Sequence, residues 1–151
     1  REVFPRIRER LTVTFYVVGS RVTEEIRALE SPGNGIVVKG FVSEEELSAL
    51  YQSCRIVVVP LRYGAGVKGK VVEAVYNGAP VVTTSVGSEG IPDVGQALVI
   101  EDTAEAFAEA VVSLYGDLDR LEALSDAAQD YIRRHFSTEA AWSVIRDDFA
   151  I

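Results

Sequence analysis

The chain predicts an α/β fold: a Rossmann-like, doubly wound parallel sheet of about five strands with helices on both faces. Short valine-rich apolar runs alternate with segments of helical periodicity along its whole length. Those runs are near-continuous rather than alternating apolar and polar, the pattern of strands covered on both faces. The composition agrees, with 48% hydrophobic and 25% charged residues, and a chain of 151 residues can bury roughly 68–70% of its unfolded surface in one domain.

Val3, Phe4 and Ile7 stand at helical spacing, with Pro5 tolerable only in a first turn, so residues 1–10 read as a helix. Residues 11–18, LTVTFYVV, are a strand closed by Gly19 and Ser20. Val22, Ile26 and Leu29 share one face of a short helix that Ser31, Pro32 and Gly33 stop. Residues 36–38 form a short strand ending at Gly40. Ser43 and Glu46 make a capping box that opens a helix carrying Leu47, Leu50 and Tyr51, where the glutamates serve the helix dipole. Residues 55–59 are the third strand, 68–77 a helix with Gly78 as C-cap, 80–84 the fourth strand and 97–100 the fifth. Thr103 caps a helix over 104–115, with Glu105 and Glu109 on its wet side. Residues 118–136 form a longer helix with Leu121, Leu124, Ala128 and Ile132 inward. A closing helix over 138–151 carries Trp142, Ile145 and Phe149 as a packing stripe.

The formal charge of −8 comes with no block of basic residues, which argues against nucleic acid or an anionic membrane as partner. No apolar run reaches the ~18–20 residues of a spanning helix. The lone Cys54, just before an apolar strand, reads as a buried structural thiol in a reducing, cytosolic setting. The chain has no methionine and opens on REVFP, so it reads as an excised piece of a longer protein.

Residues 59–90 concentrate the chemistry. An apolar strand runs into a loop with Gly64, Gly66 and Gly69, then a helix start with two lysines, Lys68 and Lys70, and a carboxylate at Glu73. Glycines let a backbone approach an anion, and the first turn of a helix offers free N–H groups and partial positive charge. On a helix begun near Val67, the residues Gly66, Lys70 and Glu73 share a face. One reading gives Gly66 and Val67 amides and the Lys70 charge to a diphosphate, and Glu73 to two ribose hydroxyls. The other makes Lys70 and Glu73 a solvated ion pair. Arg62 stands at the mouth of the same crevice, for phosphate or for solvent. A second loop over 83–91 offers hydroxyls, amides and one acid through Ser88, Glu89 and Gly90, or is an ordinary turn. The full P-loop motif G-x-x-x-x-G-K-[ST] is absent, as are a Ser/His/Asp set and a metal-ligand cluster. In an open α/β sheet such loops converge at the carboxyl ends of the strands.

Residues 60–90, containing GAGVKGKVVEAVYNGAPVVTTSVGSEG, resemble the sugar-nucleotide site of retaining glycosyltransferases of the GT-B fold, the group 1 or family 4 type. The resemblance covers nearly the whole chain. Residues 15–20 are similar to the strand and glycine before the donor site, 38–43 to the segment beside the nucleobase, and 55–60 to the strand feeding the donor loop. It implies that residues 1–151 are one Rossmann-like donor-binding domain, the C-terminal half of a GT-B fold, lacking its own first strand and the N-terminal acceptor domain. It also implies a nucleotide sugar as substrate, Gly64, Gly66, Val67, Lys70 and Arg62 on the donor diphosphate, Glu73 on ribose, and Phe41 and Val42 near the base. Of the family's two motif glutamates the second falls on Glu73 and the first on Ala65, which puts a carboxylate contact to the sugar in doubt. Transfer with retention in this family is ascribed to front-face attack assisted by the donor phosphate, so no metal, cofactor or general base is expected. The isolated piece should bind nucleotide weakly and transfer nothing, in a cytoplasmic setting, with any membrane association left to the N-terminal domain. Two other readings stand beside this one: a non-catalytic α/β nucleotide- or partner-binding module, and a nucleotide-sugar epimerase of the same fold. A receiver-like module fits poorly, because no Asp follows Val59.

Overall fold

Val81, Val82 and Thr83 form the most deeply buried strand, and the rest of the main sheet is built on its two edges. The computed structural model describes residues 2–140, Trp142 and Arg146. In chain order the elements are α1 (Val3–Arg8), β1 (Phe15–Val18), α2 (Glu24–Arg27), β2 (Ile36–Gly40), α3 (Glu44–Ser53), β3 (Val57–Val59), α4 (Gly69–Tyr76), β4 (Val81–Thr83), α5 (Ser85–Ser88), a 3₁₀ turn (Val94–Gln96), β5 (Leu98–Ile100), α6 (Ala104–Tyr115) and α7 (Leu118–His135). Every strand pairing is parallel, as the valine-rich runs predict.

The sheet comes in two pieces. β4 lies between β3 and β5, with Val57, Val58 and Val59 opposite Val81, Val82 and Thr83, and these opposite Leu98, Val99 and Ile100. β1 and β2 form a separate pair, in step from Phe15 opposite Ile36 to Val17 opposite Val38, then slipping so that Val18 faces Gly40. Among the described residues β1 and β3 are not paired. The five parallel strands expected are present, as a two-stranded and a three-stranded piece.

Two apolar clusters cover the main piece, because consecutive strand residues point to opposite faces. Val81 belongs to one, with Val71, Ala74 and Val75 of α4, Val94 of the 3₁₀ turn, and Ala128 and Tyr131 of α7. Val82 belongs to the other, with Ile7 of α1, Phe107, Ala108, Val111 and Leu114 of α6, and Leu121 and Leu124 of α7. α7 thus serves both faces with different turns. Arg6 and Arg10 of the first segment pair with Glu105 and Glu109 of α6, the two glutamates read as solvent-facing.

Several boundaries move inward. The strand predicted over 11–18 begins only at Phe15, where Phe15 N donates to the Gly35 carbonyl at 2.7 Å; Leu11 N still closes α1 on Ile7. α2 keeps a single turn of the predicted 22–29 helix. Ser43 Oγ does accept from Glu46 N at 3.2 Å, but the Glu46 carboxylate turns to Lys39 Nζ at 2.7 Å rather than back to the cap, so the box is half formed. Gly78 takes the left-handed φ of 70° that ends α4, as expected of a C-cap glycine. Cys54 is only half-buried. Tyr131, not singled out in the sequence, is buried and donates to the Pro92 carbonyl at 2.7 Å, while Ile132 is only partly covered. Of the closing helix, residues 138–140, Trp142 and Arg146 are helical, and Trp142 is exposed; Ile145 and Phe149 lie outside the described residues.

Candidate functional site

The loops that follow β3 and β4 leave the same end of adjacent parallel strands, and two hydrogen bonds lock their roots together. Thr83 Oγ1 donates to the Val59 carbonyl at 2.9 Å and Thr84 Oγ1 to the Leu61 carbonyl at 2.6 Å. Gly87 sits directly on Thr83: a Cβ there would fall 1.9 Å from Thr83 Oγ1, so only glycine lets the second loop descend onto the strand.

The first loop brings its glycines to the N-terminus of α4, but the helix starts later than expected. α4 begins at Gly69 with Lys68 as N-cap, a residue whose side chain cannot accept from the first-turn amides. Gly66 is therefore not on the helix face with Lys70 and Glu73; it lies before it, with a left-handed φ of 74°. Among the described residues no acceptor is hydrogen-bonded to the backbone amides of Gly64, Gly66, Val67, Gly69 or Lys70. Lys70 and Glu73 do share a face, one helical turn apart and both exposed, with no ion pair between them among the described residues. Glu73 instead lies beside the Tyr51 phenol, whose pKa is pushed up to about 12, by burial first and then by the Glu73 carboxylate.

Gly64, Gly66 and Gly90, the glycines expected beside the donor, differ in their surroundings. A Cβ at Gly64 would press on the Lys68 Cε at 3.3 Å, and one at Gly90 on the Val67 Cγ2 at 3.2 Å, whereas Gly66 has open space around it. Side chains at 64 and 90 would thus crowd the site, whereas Gly66, like Gly69 after it, has nothing within 4 Å of where a Cβ would stand.

The second loop differs from its expectation as a run of free amides and hydroxyls. Ser85–Ser88 is a helical turn capped by Thr84, whose hydroxyl accepts from Gly87 N at 3.1 Å. Ser85 N donates to Asp102 Oδ1 at 2.8 Å, and the Ser88 hydroxyl donates to the Ser85 carbonyl at 3.1 Å. What remains beside the first loop is Glu89 and Gly90. Lys68, which the sequence reading placed in no specific role, joins the loops: its ammonium donates to the Gly66 carbonyl and to Glu89 Oε2, the latter at 3.2 Å, with only 9% of its side chain exposed. A lysine two residues before the expected one, cut off by its own glycine loop, was the signal available for it.

Arg62 is held elsewhere, donating to Glu2 Oε2 at 2.6 Å while remaining largely exposed. Phe41 and Val42 follow β2, where Gly19 N donates to the Gly40 carbonyl at 2.9 Å and brings the first two strand-end loops together. Phe41 is 79% exposed and Val42 partly covered. No hydrogen bond among the described residues joins this pair to the loops at 60–90.

A family model described as "Glycosyl transferases group 1" matches residues 1–117. The chain belongs to the group 1 glycosyltransferases. Its fold is that of one domain of the two-domain GT-B enzymes. A curated relative of this glycosyltransferase domain, an uncharacterised 44.6 kDa protein in the cps region of Klebsiella pneumoniae, is 30% identical over 145 residues, which is 92% of this chain and 37% of that protein. Similar solved structures include sucrose-phosphate synthase from Thermosynechococcus elongatus, with TM-score 0.76, 21% identity, and coverage of 99% of this chain and 42% of that one. HepE from Anabaena, solved in complex with UDP, gives TM-score 0.78 at 17% identity, covering 99% and 44%. TarM gives 0.78 at 15%, covering 99% and 30%. The glycosyltransferase domain described here therefore spans less than half the length of each of these four proteins.

Proposed function

We propose that this domain is the donor-binding half of a glycosyltransferase that takes a sugar from a nucleoside diphosphate and passes it to an acceptor with retention of configuration. The observation that carries the reading is the unpaired amide cluster of the first loop, set at the N-terminus of α4 beside Lys70 and against Gly90. Such amides and a helix N-terminus favour phosphate, and negative charge grows on the diphosphate as the sugar leaves. Gly66 and Val67 amides and Lys70 would hold that leaving group, and Glu73 would accept from the two ribose hydroxyls. Arg62 would join them only by leaving Glu2. Phe41 and Val42 would flank the base. The UDP in the HepE complex supports a nucleotide ligand for this fold.

The reading assigns no metal to the site. It leaves the acceptor to a second domain. It also places a further strand before α1, in the break between β1 and β3. A right-handed strand–α1–β1 crossover puts such a strand next to β1, and α1 already packs on α6 beside the main piece.

Calorimetric titration with UDP, GDP and ADP tests the proposal. One of them should bind, and Glu73→Ala or Lys70→Ala should weaken that binding by roughly ten- to hundredfold, as for loss of hydrogen bonds to a charged group. Binding of none of the three, or binding indifferent to both substitutions, would sink it. Product analysis on the full-length protein separates transfer from epimerisation.

A further inference from the structure

We infer that Lys68 is a positioning residue that clamps the two loops of the donor site together, with Glu89 as its counter-ion rather than a ligand group. The inference rests on the donor-site reading above. An ammonium this deeply covered loses most of its hydration, a loss that only acceptors in place of the water make good. Here the replacements come one from each loop, the Gly66 carbonyl and Glu89 Oε2 at 3.2 Å. The stem is enclosed as well, since Gly64 folds so closely over Lys68 Cε that a side chain at 64 would meet it at 3.3 Å. On the far side Gly90, next to Glu89, packs on Val67, next to Lys68. Charge and packing therefore tie the same two pairs of neighbours.

The consequence falls on the peptide that follows Gly66. With its carbonyl oxygen held by Lys68, the Gly66–Val67 peptide plane is set, and so is the Val67 N–H at its other end, one of the amides proposed to meet the diphosphate. Lys68 need not touch the donor: it fixes the orientation of a group that does. Lys70, exposed on the first turn, is left as the cation that meets phosphate directly.

Three variants test this, Lys68→Met, Lys68→Arg and Glu89→Gln, each followed by amide NMR of the ligand-free protein and by titration with UDP, GDP and ADP. Lys68→Met keeps the buried stem and removes the charge. It should displace the Gly66, Val67, Glu89 and Gly90 amide resonances and weaken binding of the preferred nucleotide by at least about tenfold, with Lys68→Arg recovering most of the loss. Glu89→Gln, at an exposed position, should displace the Gly66 and Val67 resonances across the gap between the loops, and its effect on affinity should not add to that of Lys68→Met, as for partners in one interaction. Unmoved loop resonances in Glu89→Gln, strictly additive losses, or weakened binding in Lys68→Met with every loop resonance in place would each overturn the clamp. If the protein binds none of the three nucleotides while the resonances still move together, the donor-site reading fails and the clamp stands.

Discussion

Glu73 and Tyr51 meet beside the core cluster that holds Val71, Ala74 and Val75, with Tyr51 partly buried against it. The phenol is the neutral form of its group, so burial and a neighbouring carboxylate both favour keeping the proton. In the unfolded chain Tyr51 ionises near 10.0, and in the folded protein at about 12. Between those values the folded state holds a proton that the unfolded state has lost, so stability falls with rising pH. We expect denaturant midpoints unaffected by this group below pH 10 and declining as pH rises toward 12. Tyr51→Phe should remove that share of the decline and, in tyrosinate absorbance, the latest-ionising step. A Tyr51 step at its unperturbed position would show that the phenol does not sit against Glu73. The sequence offered Tyr51 only as one apolar position on a helix; its neighbour lies 22 positions away and across a strand, a relation no local spacing encodes.

Among the elements, a side-chain cap on a helix with a periodic apolar face was legible, and an uncapped start or a single turn held by contact was not. Thr103 Oγ1 accepts from Ala106 N at 3.1 Å and starts α6 at the residue expected, because capping is a local competition for the first-turn amides. Thr103→Ala should lower stability by about 1 kcal/mol, seen as a shift in urea midpoint with the slope unchanged. An unchanged midpoint would mean that packing of Phe107, Ala108 and Val111 alone holds the helix in place. α4 is the counter-case. Its N-cap is a lysine with no acceptor, and this is why the spacing placed its start near Val67 instead of Gly69. The uncapped start leaves amides exposed, a cost to the helix that a bound anion would offset. α5 escaped notice altogether, since a turn of Ser, Val, Gly and Ser has no periodicity to read; it exists because Thr84 caps it and Thr83 receives Gly87.

The whole molecule is uneven in cover. β4 is buried along its length, while β1 alternates between half-buried and more exposed positions and β2 is mostly half-buried. Amides in less covered structure open at lower free energy. Hydrogen exchange should therefore protect Val81, Val82 and Thr83 well beyond Tyr16, Val17 and Val38, and equal protection across both pieces would contradict two separately supported pairings. A strand filling the break between β1 and β3, as proposed above, would raise protection in β1 specifically when the preceding part of the protein is present.

The sequence by itself determined the class of fold, the order of strands and helices, and the segment where chemistry gathers. Each of these is written in nearest-neighbour terms: period, cap, glycine, apolar run. Only the tertiary structure decided which of those residues face one another. It divided the sheet into two pieces, moved Gly66 off the helix, gave Ser88 to its own turn, tied Arg62 to Glu2, and set Lys68 between Gly66 and Glu89. The physical reason is that a charge or a close approach is defined by what lies across space. Lys68 and Glu89 stand 21 positions apart in the chain, with α4 and β4 between them, and only packing those elements side by side makes them partners.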